Sequence, residues 1–216
     1  MAFGYPVSLE VAGRRAVVVG EEAVAQGKAD ALLEAGAEVT VVSTGPLEDL
    51  ARLERHPRAT VLRRPYRPGD LARAFVCVAS SPDPETREAV FREARARGVL
   101  VNVMDDPARC DFAAPAVLRR GDLVVAVSTG GRSPALARWL RLWLSRTLGP
   151  EWGGLLELVG SVREETLAAL PDLRERARRW RRALDPADDL EELRGLLRQG
   201  RREEARQLLL ARLELA

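Results

Sequence analysis

Two adjacent carboxylates, Asp105 and Asp106, follow directly after a short apolar run at residues 100–103. In open α/β sheets, ligands collect beyond the carboxyl ends of the strands, so a side chain just past such a strand is well placed to act on them. A carboxylate there could accept a proton while a hydride leaves a neighbouring carbon, which is general-base chemistry. The structural alternative is a turn before Pro107. Taken alone, these residues favour the turn.

A second candidate site lies where an apolar run at residues 15–19 ends at Gly20 and a helix is predicted to begin. A dinucleotide pyrophosphate binds at such a helix N-terminus, and the usual fingerprint is G-x-G-x-x-G or G-x-G-x-x-A. The segment here, Gly20-Glu21-Glu22-Ala23-Val24-Ala25, keeps only the first glycine and the final small residue. Glu22 replaces the second glycine, and carboxylates beside a pyrophosphate would repel it unless they turn outward or a cation intervenes. A nucleotide site and a plain strand–turn–helix therefore both remain open.

Other positions that would contact a dinucleotide are less specific. Ser43 and Thr44 end the next apolar run, where an acid usually binds the ribose of NAD or an Arg admits the 2′-phosphate of NADP. Neither residue type is present, so this position does not distinguish the two cofactors. Ser80 could face a nicotinamide, although an ordinary loop explains it better. The predicted cofactor contacts are Gly20, Glu22, Ala23, Val24, Ser43, Thr44 and Ser80.

The segment Ser128–Ser133 joins an apolar run to a predicted helix. Ser133 is a favourable N-cap, and Pro134 is favourable at the first helical position. The exposed N–H groups of the same loop could also bind a substrate carboxylate. Nearby guanidinium groups could add paired contacts; the candidates are Arg119, Arg120, Arg132 and Arg138. Helix capping and substrate binding are compatible interpretations of this loop.

The elements that must position these residues alternate between strand and helix over the first hundred residues. Apolar, β-branched runs predict strands at 15–19, 38–43, 60–62, 75–79 and 100–103. Helical periodicity at Ala25, Ala29, Leu32 and Leu33 predicts a helix that stops at Gly36, and a second helix is predicted over 84–97. Repetition of strand and helix at this spacing predicts a parallel sheet wound in right-handed βαβ units.

The pattern changes after Asp105. Apolar runs at 112–118 and 123–127 predict a hairpin, a helix follows from about Ser133, and the rest reads as helices broken at Pro171, Pro186 and Gly200. The fold class expected is α/β: a Rossmann-like parallel-sheet domain at 1–111, a mixed segment at 112–149 and a helical C-terminal domain at 150–216.

Composition excludes several classes of function. The net charge of +2 is nearly balanced, and Arg alternates with Glu along helical stretches, so we expect no nucleic-acid partner. Cys77 and Cys110 are isolated and His56 is the single histidine, so no conventional metal site is expected. No apolar run approaches the roughly 18–20 residues that a membrane span needs, and no membrane partner is expected. Two separate thiols without a signal peptide predict a cytoplasmic protein.

Three blocks of the sequence resemble the N-terminal domain family of siroheme synthases. The first runs from Asn102 to Phe112 and continues at Pro115-Ala116, the second runs from Gly121 to Arg138, and the third from Val24 to Val42. Looser similarity at Tyr5-Pro6-Val7 and at Glu175–Trp180 extends the resemblance over the whole chain in order. The family comprises precorrin-2 dehydrogenases, some of which are also sirohydrochlorin ferrochelatases.

The resemblance implies NAD-dependent oxidation of precorrin-2 to sirohydrochlorin in siroheme biosynthesis, with iron insertion as an optional second activity. It implies a tetrapyrrole substrate, Fe2+ as a substrate of the second reaction, and a homodimer made through residues 112–149. Asp105 matches the family's catalytic aspartate, which is credited with proton handling, and with the resemblance the catalytic interpretation is preferred. The predicted substrate contacts are Asn102, Ser128, Thr129, Gly130, Arg132 and Ser133.

One departure from the family pattern leaves alternatives open. The family commonly has three consecutive glycines where this chain has Gly20-Glu21-Glu22. A weakened cofactor loop would suit a ferrochelatase-only enzyme that has lost the dinucleotide. It would also suit a non-catalytic tetrapyrrole- or nucleotide-binding protein.

Overall fold

The computed structural model describes residues 4–21, 23–45, 50–185, 187–188 and 190–215. The chain forms two compact units, with the boundary after Ala114. The predicted hairpin and its helix belong to the second unit together with the helical tail. The finer division into three domains at 111 and 149 stays a prediction.

The first unit is built on a five-stranded parallel sheet, as the alternating pattern predicts. The strands are β1 (Arg15–Val19), β2 (Glu38–Ser43), β3 (Ala59–Arg63), β4 (Val76–Ala79) and β5 (Leu100–Val103). Their spatial order is β3-β2-β1-β4-β5, so the chain starts in the middle, winds to one edge, and returns to wind to the other.

Both faces of the sheet are buried. Along β1, Val18 faces a core that includes Ala25, Ala29 and Leu33, while Val17 faces a core that includes Val90. Because successive strand residues point to opposite faces, a central strand covered on both sides reads as an unbroken apolar run. The helices of this unit are α1 (Ala23–Glu34), α2 (Leu50–Glu54) and α3 (Pro84–Arg97).

Helix α3 has the predicted bounds, and local chemistry explains both ends. The Asp83 carboxylate accepts hydrogen bonds from the N–H groups of Glu85 and Thr86, and Pro84 takes the first helical position. The helix ends at Gly98, whose φ of 68° is a left-handed conformation that glycine adopts without steric cost.

The connection from β3 to β4 has no helix among its described residues, unlike the other three crossovers of the sheet. It is held by polar contacts. Asp70 forms a two-point ion pair with the Arg64 guanidinium, with N···O distances of 2.7 and 2.8 Å. The hydrogen bond from Arg64 lowers the pKa of Asp70. Side-chain contacts of this kind leave no periodic pattern in the sequence.

The second unit starts with a hairpin of β6 (Ala116–Arg120) and β7 (Leu123–Val127), followed by α4 (Pro134–Thr147). The first arm is shorter than predicted: residues 112–115 precede the strand, and Pro115 has no N–H with which to extend the ladder. Four further helices enclose an apolar core around Leu158, Leu193 and Leu209. They are α5 (Glu151–Ala169), α6 (Leu173–Ala183), α7 (Glu191–Arg198) and α8 (Arg202–Arg212).

Gly153 on α5 shows how closely this helix approaches the hairpin. A Cβ at this position would lie 2.7 Å from the carbonyl oxygen of Arg120, so only glycine fits. Pro171 and Gly200 fall at helix breaks as predicted, whereas Pro186 lies outside the described residues. Among the helices that the structure describes, none has the length and apolarity that crossing a bilayer requires.

Candidate functional site

Two adjoining clefts open at the carboxyl edge of the sheet, and both are lined in part by Ser81 and Pro82. The β4–β5 cleft, about 260 Å³, lies at the ends of those two strands and includes Ser80 and Asp105. The β1–β3 cleft, about 240 Å³, lies at the ends of the first three strands. They meet beside β1 and β4, the point where the strand order reverses and where open α/β sheets bind ligands.

A third cleft of about 440 Å³ contains the one histidine, His56. It lies between the end of α1 and the start of β3, at the amino edge of the sheet, and is open to solvent. None of the predicted site residues lines it, and its Asp30 is paired with Arg52. We therefore place the candidate site at the carboxyl edge.

Gly20 and Ser80 are in contact where β1 and β4 end. A Cβ on Gly20 would lie 2.1 Å from the Ser80 hydroxyl oxygen and 3.3 Å from the Cβ of Ala25. The glycine is therefore needed for packing between β1, β4 and α1. The Ser80 hydroxyl is buried and has no hydrogen-bond partner within the described chain. Such a group calls for a partner from solvent or from a ligand, and Ser80 lines the β4–β5 cleft.

Glu21 reaches sideways from the end of β1 to the end of β2. Its carboxylate accepts a hydrogen bond from the Thr44 hydroxyl. Gly45 packs directly under this loop, since a Cβ there would lie 2.9 Å from the Glu21 carbonyl oxygen. One of the two carboxylates expected to repel a pyrophosphate is thus turned toward β2. Glu22 and the side chain of Ala23 lie outside the described part of the chain, so the predicted effect of Glu22 stays a prediction.

Asp105 has a strained backbone and a free side chain. Its φ of 60° places it in the left-handed region, which glycine adopts without steric cost and which Asp and Asn tolerate better than other residues do. The side chain is exposed in the β4–β5 cleft, and no described residue hydrogen bonds or ion pairs with it. Strain of this kind persists where the surrounding structure holds it, and it clusters at functional sites.

The turn itself is closed by the neighbours of Asp105. Asp106 pairs with the Arg109 guanidinium, which also contacts Glu88 at 2.9 Å. The Cys110 thiol donates to the carbonyl oxygens of Val103 and Asp106, at 3.1 and 3.2 Å. Burial raises the pKa of this thiol, which favours the protonated donor over a nucleophilic thiolate. Asp106 and Cys110 therefore build the turn and leave the Asp105 carboxylate available.

Arg87 is a cleft residue that the sequence patterns did not indicate. From the first turn of α3 its guanidinium donates to the carbonyl oxygens of Ser81 and Pro82, both at 2.9 Å. It thereby fixes the loop shared by the two clefts. The sequence did contain a signal for this role, because Arg87 follows the N-cap Asp83 by four residues and so lies on the first turn of the helix, next to the end of the preceding strand. Glu21 was missed as a possible ligand contact because its position depends on a hydrogen bond between the ends of two strands.

The residues predicted for substrate contact do not all lie at this edge. The Asn102 amide donates to the Phe112 carbonyl oxygen at 2.7 Å and does not line either cleft. The loop at 128–133 belongs to the second unit, where Ser133 caps α4 through the N–H of Leu136. The Thr129 hydroxyl bonds the backbone of Ser133. Substrate contact by these residues stays a prediction.

The four candidate arginines differ in availability. Arg120 donates to the carbonyl oxygens of Leu148 and Ser145, at 2.8 and 3.0 Å, and so fastens the hairpin to the end of α4. Arg132 is exposed, and no described residue pairs with its side chain. Among the described residues there is no group of three or more His, Cys, Asp or Glu side chains that could hold a metal ion.

Comparison with known proteins identifies the family. Residues 7–116 match the family model described as putative NAD(P)-binding, and residues 120–142 match the one described as sirohaem biosynthesis protein central. The chain belongs to the putative NAD(P)-binding family. The matched range ends within β6, so it holds the whole sheet and both clefts.

Individual relatives agree with this assignment. Siroheme synthase 1 of Pectobacterium atrosepticum is 36% identical over 90% of this chain and 42% of its own length. Siroheme synthase 2 of Aeromonas salmonicida is 39% identical over 82% of this chain and 37% of its own length. The siroheme synthase of Methylococcus capsulatus is 34% identical over 95% of this chain and 42% of its own length. The chain therefore spans about two fifths of the length of these relatives, and the resemblance to siroheme synthases is confirmed.

A solved structure supports the fold. The protein named SirC, precorrin-2 dehydrogenase, superposes with a TM-score of 0.71 at 22% identity. The match covers 93% of this chain and 100% of that one. The predicted Rossmann-like sheet followed by a helical C-terminal region is confirmed.

Within the NAD(P)-binding domain, the sheet brings most predicted cofactor residues to one edge. Val24 and Ser80 line the β4–β5 cleft together with Asp105. Gly20, Ser43 and Thr44 line the β1–β3 cleft. These assignments rest on position, and ligand contact by each residue stays a prediction.

Proposed function

We propose that this protein oxidises precorrin-2 to sirohydrochlorin with NAD as the hydride acceptor, a step of siroheme biosynthesis. The observation that carries the proposal is the Asp105 carboxylate, held unpaired in a left-handed backbone beside the unpartnered Ser80 hydroxyl. The names of the siroheme synthase relatives and of the structural neighbour support the reaction.

The clefts fit a dinucleotide. Their position across the reversal of strand order suits a ligand with two nucleoside halves. The buried Ser80 hydroxyl lacks a partner that a bound ligand could supply, and Glu21 is turned away from the helix N-terminus. We assign the β1–β3 cleft, with Ser43 and Thr44, to the adenosine half. The β4–β5 cleft, with Val24 and Ser80, is assigned to the nicotinamide half. When bound, NAD would accept the hydride.

We assign to Asp105 the role of general base, which accepts the proton released in the oxidation. Oxidation of precorrin-2 removes two hydrogens, one as a hydride and one as a proton. The Asp105 carboxylate accepts that proton, and its freedom from protein partners leaves its oxygens available to do so. Arg87 holds the 81–82 loop beside it and so keeps the shape of the cleft.

Iron insertion is the second activity that we propose for the same cleft. Fe2+ as a substrate would be bound through the pyrrole nitrogens of the tetrapyrrole. Asp105 would accept the two pyrrole protons that the metal displaces one at a time, passing each to solvent. We also propose that Arg132 and the N–H groups at the start of α4 bind carboxylates of the tetrapyrrole, since this helix N-terminus is preceded by an unpaired cation.

A homodimer is proposed from the apolar surface of the second unit. Trp139, Trp143 and Leu136 on α4 are 58, 50 and 49% exposed, and Val124 on β7 is 46% exposed. Exposed apolar side chains gathered on one small segment mark an association surface. The predicted dimerisation segment, 112–149, contains all of them.

Both thiols are free, which suits the reducing cytoplasm where we expect the protein to work.

An anaerobic assay tests the reaction. With precorrin-2 and NAD we expect NADH and sirohydrochlorin to form in equal amounts, without added metal. Product that depends on Fe2+ but not on NAD would favour a ferrochelatase-only enzyme. Tight binding of sirohydrochlorin with no product of either kind would favour a non-catalytic binding protein.

A further inference from the structure

We propose that Glu21 binds the adenosine ribose of the cofactor and selects NAD over NADP. Most dinucleotide folds place an acid for this purpose at the end of the second strand. Here the acid comes from the loop after the first strand. This inference rests on the proposed use of a dinucleotide cofactor.

The end of β2 lacks a suitable acceptor of its own. Ser43 is buried, and its hydroxyl accepts a hydrogen bond from the N–H of Gly45 at 3.3 Å. Thr44 carries a neutral hydroxyl, which donates to the Glu21 carboxylate. The carboxylate is thereby held at the end of β2, where the usual acid would stand. Gly45 permits this arrangement, because any larger residue would collide with the Glu21 backbone.

The remaining acceptor capacity of Glu21 matches a ribose diol. An ionised carboxylate has two oxygens and about four acceptor positions, of which Thr44 uses one. Glu21 is exposed at the wall of the β1–β3 cleft. Its free oxygen positions can accept from the 2′- and 3′-hydroxyl groups of a ribose, as charge-assisted hydrogen bonds.

The charges around this cleft disfavour a 2′-phosphate. No described cation forms an ion pair with Glu21. Arg64, the guanidinium that lines the same cleft, is held by both carboxylate oxygens of Asp70. The cation that could otherwise bind the phosphate is therefore neutralised, whereas the Glu21 charge would repel it.

Isothermal titration calorimetry of the full chain with NAD and with NADP tests the inference. In the wild type we expect NAD to bind more tightly. Glu21→Gln should weaken NAD binding about tenfold and weaken NADP binding less or not at all, so the preference for NAD shrinks. Thr44→Val, which frees the carboxylate from β2, should reduce the preference partially. Thermal melts report whether each variant folds, and Glu21 is exposed, so we expect an unchanged Tm.

Glu85→Gln is the matched control. It removes the same charge near the same edge, from an exposed residue that does not line the cleft, and it should leave the preference unchanged. NAD binding with an equal preference in wild type and Glu21→Gln would overturn the ribose role alone. If the folded wild type bound neither dinucleotide, the proposed cofactor would be wrong, and the ribose role with it.

Discussion

The loops after β1 and β5 begin at the same edge of one sheet, yet the carboxylate of one is held by a hydrogen bond and the carboxylate of the other has no partner in the described chain. Glu21 is tied to Thr44 on the neighbouring strand, and Gly45 packs beneath it. Asp105 has a strained backbone and no partner in the described chain. A group that binds a ligand can be fixed in advance by the scaffold, because its position is what matters. A group that must take up a proton has to keep its oxygens available.

The difference predicts that Asp105 governs turnover. Asp105→Asn should lower kcat about 100-fold or more, because loss of a general base typically costs 10²–10⁴ in rate. Asn tolerates the left-handed backbone, so the fold should persist. Steady-state rates and NAD affinity, measured on the same preparation, check this.

Asp122→Asn serves as the control, since Asp122 is an exposed carboxylate in the hairpin turn that lines neither cleft. Equal rates for Asp105→Asn and wild type would remove Asp105 from the mechanism and make it a turn residue.

Changes in packing at the β1 loop should instead lower the stability of the protein. Gly20→Ala places a Cβ against the Ser80 hydroxyl and close to the Cβ of Ala25. We expect a loss of about 1–3 kcal/mol in the free energy of unfolding, the usual effect of overpacking. Urea denaturation measures it.

The double variant Gly20→Ala with Ser80→Ala tests the cause. Removing the hydroxyl should restore part of the loss, so the two effects should not add. Strict additivity would show that Gly20 is required for another reason, such as backbone conformation.

The smallest predicted effect concerns strain. Asp105→Gly should raise the free energy of unfolding by about 0.5–1 kcal/mol, because glycine adopts a positive φ without the Cβ clash. Chemical denaturation checks this, and the same variant should lose turnover. Asp106→Gly is the matched control: its φ is −129°, so glycine relieves no strain there and should destabilise the turn. A lower stability for Asp105→Gly than for wild type would contradict the strain argument.

Much of the fold could be predicted because its signals are local. Buried parallel strands are continuous apolar runs, and α3 carries its N-cap, its proline and its terminating glycine within sixteen residues. The β3–β4 connection and the short arm of the hairpin could not be predicted in the same way. The first is held by a side-chain ion pair, and the second is shortened by the missing N–H of a single proline.

The sequence by itself determined the five strands, helices α1 and α3 and the family resemblance, because each depends on residues close together in the chain, and the resemblance in turn made Asp105 the candidate base. The short helix α2 was not predicted. The tertiary structure decided what those residues contact. Gly20 packs against Ser80 at the ends of two neighbouring strands, and Glu21 accepts a hydrogen bond from Thr44, which lies 23 residues further along the chain. Such contacts arise only when parallel strands bring distant loops to one edge, so no local pattern encodes them.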